Sequence, residues 1–440
     1  MRQKGRSGGR AVRRYGGRAV WRAVDRGVLL GLLLVTLGLT NAGAQSTAII
    51  NATVYQDEAP ALEGATVLME GGRITAVGPE VAIPAGARRI DAAGRLVTPG
   101  FIHSITGLGL TEVGAVSATR EGSKQGAVTP SFNVLEGINP ASTRIPPTRV
   151  GGVTTVLALP VGGLLPGEGV AIDLDGVTIE QMVVRSPAVM VMNLGSSSKA
   201  AGGGSRAGVM ALLRRLFNDA EVLRAREVDY EERDMRDLAA PAEELAALWP
   251  VLDGEIPLAV WANRVSDLEN ALRLADEYHL DLIILGGAEA WKIADKLAER
   301  FVPVVVNPFD NIPSFDGLAT RYDNASLLHE AGVPVLLYES DAGGPRNLRF
   351  AAGMAVRNGL PRQEAFRAIT SGPARAFGLQ DYGSIAVGKV ANVVVWDGDP
   401  LDFSGAPAHV FIRGTEQSME SRQKELLERY RELPPEYEGR

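Results

Sequence analysis

Val97-Thr98-Pro99-Gly100-Phe101-Ile102-His103-Ser104-Ile105-Thr106-Gly107-Leu108-Gly109 is the stretch on which the fold of this 440-residue chain turns. Before it, from Ala48 to Leu96, the sequence reads as short strands and turns. Ala48–Tyr55 leads to Ala65–Glu70, and Gly71-Gly72 makes a tight turn into Arg73–Gly78, a hairpin signature. After it, short apolar runs alternate with amphipathic segments, the pattern of βαβ units in a parallel sheet or barrel. Within the stretch the only titratable side chain is His103, one of four histidines in the chain, and neither H-x-H nor H-E-x-x-H occurs anywhere.

The alternation can be followed almost to the end. Gly152–Leu159 reads as a buried strand, as does Pro257–Ala262, which is followed by a helix from Ser266 to Glu277 with Leu268, Leu272 and Ala275 on one face. Asp281–Leu285 meets Gly286-Gly287, and a helix runs from Ala288 through Ala298. Val302–Val306 and Val333–Tyr338 are further strands, separated by a helix near Ala325–His329. Helices around Leu348–Asn358 and Pro361–Ile369 precede a last one at Thr370–Leu379. From Tyr382 to Asp397 the chain returns to strand and turn. Gly195–Gly208 reads as a mobile small-residue loop, because no Gly-Lys-Ser/Thr or Rossmann spacing accompanies its glycines. Residues 221–248, rich in Glu, Arg and Ala, read as a solvated insertion helix.

Composition narrows the function classes. The chain has no cysteine, which excludes disulfides, thiolate zinc sites and Cys nucleophiles. Residues 1–26 carry nine Arg/Lys and one acid, followed by an uncharged run from Gly27 to Leu39 and then Asn41-Ala42-Gly43-Ala44-Gln45. A basic region, a short apolar core and a small-x-small exit read as a secretory signal peptide cleaved after Ala44, which implies a secreted or periplasmic protein with no membrane anchor once cleaved. Removing nine bases and one acid turns the formal charge of −7 into −15. Such a charge repels phosphate backbones and anionic membranes, so neither nucleic acid nor a lipid surface is an expected partner.

The quoted stretch resembles the first metal-binding signature of the amidohydrolase superfamily, V-x-P-G-[FL]-[IV]-D-x-H-x-H-x-G. Tyr382–Asp397 resembles that family's closing motif, G-S-[IL]-x-x-G-K-x-A-D-[LV]-V-[VL]-[WF]-D, with Asn392 in the usual Asp position. Thr370–Leu379 resembles its T-x-N-P-A-x-x-L-G-L helix. The resemblance is to the imidazolonepropionase- and prolidase-like branch and implies an α/β fold, a (β/α)8 TIM-like barrel with a small β-sandwich composed of both chain ends. The expected divisions are a signal peptide at 1–44, the sandwich's N-terminal part at 45–96, the barrel at 97–380, the sandwich's C-terminal part at 381–415 and a helical tail at 416–440.

Members of that family hold one or two zinc ions at the C-terminal mouth of the barrel and hydrolyse carbon–nitrogen bonds. Carried over position by position, the resemblance puts Ile105 and Gly107 where the strand-one histidines stand, and His103 where the Asp stands. Asn193, with Lys199 farther out, falls near the bridging position, Trp261 on the strand-five His, and Gly286 or Gly287 on the strand-six His. Asp341, in Tyr338-Glu339-Ser340-Asp341-Ala342, keeps the strand-eight position. The expectation is therefore that no zinc is held. Three readings follow: a hydrolase by descent; an enzyme with Asp341 as general base assisted by His103 or Glu339; and a catalytically silent protein that binds a small molecule or pairs with itself or an active paralogue. In the last, Trp261, Asn263 and Trp291 line the barrel mouth. His279, His329 and His409 are expected to be structural or exposed and not ligands.

Overall fold

The computed structural model describes residues 46–226, 236–340 and 344–431. Its strands are β1 (Thr47–Val54), β2 (Leu62–Glu70), β3 (Arg73–Gly78), β4 (Arg88–Asp91), β5 (Leu96–Pro99), β6 (Phe101–Thr106), β7 (Val153–Ala158), β8 (Gly167–Asp173), β9 (Val183–Asn193), β10 (Leu258–Ala262), β11 (Leu282–Gly286), β12 (Val304–Val306), β13 (Val335–Leu337), β14 (Val393–Asp397), β15 (Ala406–Ile412) and β16 (Thr415–Glu416).

The chain ends share one eight-stranded sheet, in the order β16-β15-β14-β5-β1-β2-β3 with β4 added on β1. β2 and β3 form the hairpin expected from Gly71-Gly72, whose φ angles of 57° and 80° suit a turn that needs left-handed residues. Val393 pairs with Pro99 and Val395 with Val97, so β14, from the C-terminal part of the chain, is the hydrogen-bonded neighbour of β5, from the N-terminal part. Ile74 N donates to Lys389 O and Gly388 N to Ile74 O, curling the β3 edge back to the segment before β14. Ile49, Val54, Val67, Met69, Ile74, Val393 and Phe411 fill the space enclosed.

The second sheet carries eight strands in the order β13-β12-β11-β10-β9-β8-β7-β6, wrapped into a nearly closed barrel. Ala368 and Ile369 bridge its seam: Leu337 N of β13 donates to Ala368 O at 3.1 Å, and Ile102 N of β6 donates to Ile369 O at 2.8 Å. The strand faces alternate between two cores. Ile102, Leu157, Val191, Ala259, Ile283, Leu285, Val305 and Leu336 fill the interior. Phe101, Val156, Met190, Val260 and Ile284 pack outward against helix residues such as Leu213, Phe217, Leu268 and Leu328. Burial on both faces is why these strands read as continuous apolar runs.

The barrel departs from eight repeated strand–helix units at β8, which pairs antiparallel with both β7 and β9. The chain after β7 folds back as a hairpin, and only residues 174–182, which include the four-residue helix Ile179–Met182, separate β8 from β9. Helix boundaries also differ from expectation around residue 221. The long helix is Arg206–Ala225, started by Ser205, whose side chain accepts from Gly208 N. Past the undescribed residues 227–235 come two short helices, Ala242–Ala246 and Trp249–Leu252, with Pro241 and Pro250 at their starts. The Gly195–Gly208 segment is tied down at Asp316, which accepts from Ser196 N at 2.9 Å, Ser196 Oγ at 2.7 Å and Arg206 at 2.5 Å.

At the N-terminal end of the strands a buried polar knot joins barrel and sheet. Asp173 Oδ1 accepts from Thr155 Oγ1 (2.8 Å) and Asn392 Nδ2 (3.0 Å), and Oδ2 from Tyr382 Oη (3.0 Å) and Arg413 Nε (2.7 Å). Asn392 Oδ1 accepts in turn from Arg413 N. Burial raises the Asp173 carboxyl above its ordinary value, against the opposing pull of Arg413 and the hydrogen bonds. No helix among the described residues is long and apolar enough to cross a membrane.

Candidate functional site at the barrel mouth

Catalytic and binding residues on barrels of this kind stand at the C-terminal ends of the strands. At that end a cavity of about 130 Å³ lies over β10–β13. Its wall includes Trp261 near the end of β10 and Asn263 just after it, Gly286 at the end of β11, Asn307 and Asp310 after β12, the loop residues Thr320–Tyr322, Asn324, and Tyr338 after β13. Trp261 and Tyr338 meet edge to face with ring centroids 5.9 Å apart. Burial raises the Tyr338 phenol well above its ordinary value, and the nearby charges of Asp310 and Glu339 push the same way.

A larger cavity of about 680 Å³ lies at the opposite end, bordered by His279, Arg185, Arg300 and Arg375. Its cations are committed elsewhere: Arg185 to the Phe377 and Glu255 carbonyls, Arg300 to Asp276, and Arg375 to Asp57. The remaining histidines serve the fold. His279 ends the helix Val265–Tyr278 in a left-handed conformation, His329 sits in the last turn of Asn324–Glu330, and His409 on β15 pairs with Glu416 at 2.6 Å.

Of the sequence candidates, the structure brings Trp261 and Asn263 together in the mouth. Trp291 stands behind them. Its Nε1 donates to Ala319 O at 2.9 Å, and the Arg321 guanidinium lies 4.9 Å from its ring centroid. Glu289 Oε1 accepts from Ala319 N on the same loop. Trp291 thus positions the Thr320–Tyr322 wall and is not among the residues lining the cavity. His103 is fully buried three residues before the end of β6. It pairs with Val156, an outer-core residue, and its Nδ1 accepts from Ile105 N at 3.3 Å. A register shift between His103 and Thr106 turns Ile105 toward the inner core, so the two side chains do not share the face that simple alternation gives them. Asp341 lies outside the described residues. Tyr338, Asn324 and Asp310 were not among the candidates. A tyrosine directly before the Glu339-Ser340-Asp341 segment, at a strand end, was the available signal for the first.

A catalytic zinc takes three protein ligands. Among the described residues no group of three or more His, Asp or Glu lies close enough to hold a metal ion. The side chains at the corresponding strand ends also occupy the space. Gly286, at φ 89°, has Asn263 Oδ1 2.5 Å from where a Cβ would stand, with the Trp261 ring 3.4 Å away. Asn193 spends its side-chain amide on the Gly162 and Gly163 carbonyls of the β7–β8 loop, at 3.1 and 2.9 Å. These residues do not fit a binuclear zinc centre.

Comparison with known proteins gives a consistent answer. The profile of the Amidohydrolase family matches residues 305–415. The chain is 26% identical over 392 residues to the amidohydrolase tasK of Hapsidospora irregularis, covering 80% of this chain but only 39% of that protein's length. It is 25% identical over 374 residues to an imidazolonepropionase of Paracoccus denitrificans, covering 76% of this chain and 88% of the relative. Among solved structures, an amidohydrolase from Thermotoga maritima MSB8 superposes with a TM-score of 0.77 at 29% identity, over 84% of this chain and 99% of the other. Motifs at both ends, the barrel between them and these relatives agree: the chain belongs to the amidohydrolase superfamily.

Proposed function

We propose that this protein, a carbon–nitrogen hydrolase by descent, binds a small molecule in the barrel mouth through its own side chains instead of through a binuclear metal centre. The observation that carries the reading is Gly286. The family resemblance calls for an imidazole at Gly286 or Gly287. A Cβ on Gly286 would stand 2.5 Å from Asn263 Oδ1 with the Trp261 ring 3.4 Å away, and one on Gly287 would stand 2.7 Å from Val304 Cγ1, so neighbouring side chains fill the place of the ligand. What remains is a cavity with aromatic walls and a few convergent polar groups, the usual make-up of a small-molecule site. The names of the relatives, amidohydrolase and imidazolonepropionase, support a C–N bond as the ancestral target. Asp341 remains the candidate general base for any residual turnover, and pairing with a second copy or an active paralogue is compatible with a binding role. Export belongs to the same proposal, supported by the basic, apolar and small-residue order of residues 1–44. So does the reading of the fold as a (β/α)8 barrel with a terminal β-sandwich, modified at the β7–β8 hairpin.

The test is saturation-transfer NMR on the full chain with a panel of small amides, amines and carboxylic acids. Binders should appear whose signals vanish in Trp261→Ala. A panel without binders, or binders indifferent to Trp261→Ala, overturns the reading.

A further inference from the structure

One residue of the cavity wall, Asn324, carries a buried polar atom with an unmet bonding need among the described residues. Asn324 is 7% exposed and stands at the start of the helix Asn324–Glu330. Its Nδ2 donates to Gly287 O at 3.0 Å, which fixes the orientation of the amide, because a carbonyl can only accept. Oδ1 is thereby left as an acceptor, and among the described residues it has no hydrogen-bond partner. A buried acceptor without a donor is costly, about 1–3 kcal/mol in general, and this one belongs to a residue lining the mouth cavity.

Charge in the same wall points further. Asp310 is exposed at the rim, and among the described residues only its backbone groups are engaged: its N–H donates to Asn307 O and its carbonyl accepts from Thr320 Oγ1. The cation in the wall, Arg321, is held by Asp323 through two bonds of 2.7 and 2.5 Å and stacks on Trp291. That neutral pair leaves the Asp310 carboxylate as the uncompensated charge among the lining residues, beside the rings of Trp261 and Tyr338. An aromatic wall with a free carboxylate suits an organic cation.

Resting on the reading of the mouth as a small-molecule pocket, we propose that its ligand is a small planar organic cation with an N–H edge, an amidinium or guanidinium group. The N–H edge donates to Asn324 Oδ1 and to the Asp310 carboxylate, and the cation lies against Trp261. Both acceptors are then satisfied by one group, and a neutral amide meets the first but gains little from the second. The overall negative charge of the chain adds a field that favours cations at low salt.

Isothermal titration of the full chain with benzamidinium, neutral benzamide and benzoate tests this. Benzamidinium should bind about tenfold more tightly than benzamide at low salt, as a charge-assisted bond outweighs its neutral counterpart, and benzoate more weakly than either. Asp310→Asn, at an exposed position, should erase the difference between the first two. Asn324→Ser should weaken both. Benzamide or benzoate binding as tightly as benzamidinium, or a preference that survives Asp310→Asn, overturns the ligand class while leaving the pocket reading intact. If none of the three binds and the wider panel yields no Trp261-dependent binder, both readings fall together.

Discussion

Removing the Asp173 carboxylate should cost more stability than any other single side-chain deletion at the junction of barrel and sheet. In Asp173→Ala four donors lose their acceptor. They do not lose it equally. Arg413 is partly exposed and keeps its bond to Gln181 O, and Tyr382 is only half-buried, so water can serve both. Thr155 is fully buried and Asn392 is 6% exposed, so their donors stay dry. Asn392 Nδ2 retains Thr155 Oγ1 at 3.1 Å, which softens its loss. A buried Thr155 hydroxyl left with only the 3.5 Å contact to Thr154 Oγ1, a partly stranded Asn392 amide, and a guanidinium without its counter-ion together suggest about 3–5 kcal/mol, the usual range for breaking a buried pair on one side. Relief of the carboxylate's own desolvation keeps the figure from rising further. Urea unfolding followed by tryptophan fluorescence measures it, because the buried Trp396 reports on the same sheet. A loss below about 1 kcal/mol with an unchanged denaturant slope would refute the reasoning.

Gly286→Ala should destabilise by about 1–3 kcal/mol, combining a left-handed backbone with a Cβ driven against Asn263, and should abolish binding in the mouth; calorimetry and titration check it. Deleting the chain from Tyr382 removes β14–β16 and uncovers Ile49, Val54 and Val67, so the truncated protein should aggregate; a soluble, cooperatively melting product would contradict the shared sheet. Burial opposes ionisation of Asp316, but Ser196 and Arg206 outweigh it and hold the carboxyl below its ordinary value. The stability from that tether is therefore complete above the unfolded carboxyl range of about pH 4 and is lost as pH falls through the lower folded value. Pepsin should cut within 195–206 only under strongly acid conditions, and earlier cutting at pH 4 would count against the tether.

The terminal sheet was readable because its strands carry period-two patterns and Gly71-Gly72 announces its own turn. The helices Val265–Tyr278 and Leu348–Arg357 were readable from their apolar stripes. The β7–β8 hairpin was not. Gly167–Asp173 carries the same apolar signal as a parallel strand, and direction depends on pairing that no local pattern encodes. Trp261 and Asn263, which line the mouth cavity, are legible in the sequence as strand-end positions, which is a local property. Trp291 was misplaced because an aromatic near a strand end gives no hint of whether its ring faces the cavity or the loop behind it. Asn324 escaped notice because an Asn at a helix start reads as a cap; only the position of Gly287 O shows that its amide is turned elsewhere. His103 looked like a mouth residue until the bulge in β6 separated its face from that of Ile105.

Elemental analysis of the purified full chain tests the central claim most directly. After incubation with zinc and mild dialysis, the account predicts well under one zinc per chain, because the family resemblance puts Ile105, Gly107, Asn193, Trp261 and Gly286 or Gly287 at the ligand positions and a catalytic zinc requires three protein ligands. One tightly held zinc per chain, lost in Asp341→Ala, would contradict it and restore a metal-dependent hydrolase.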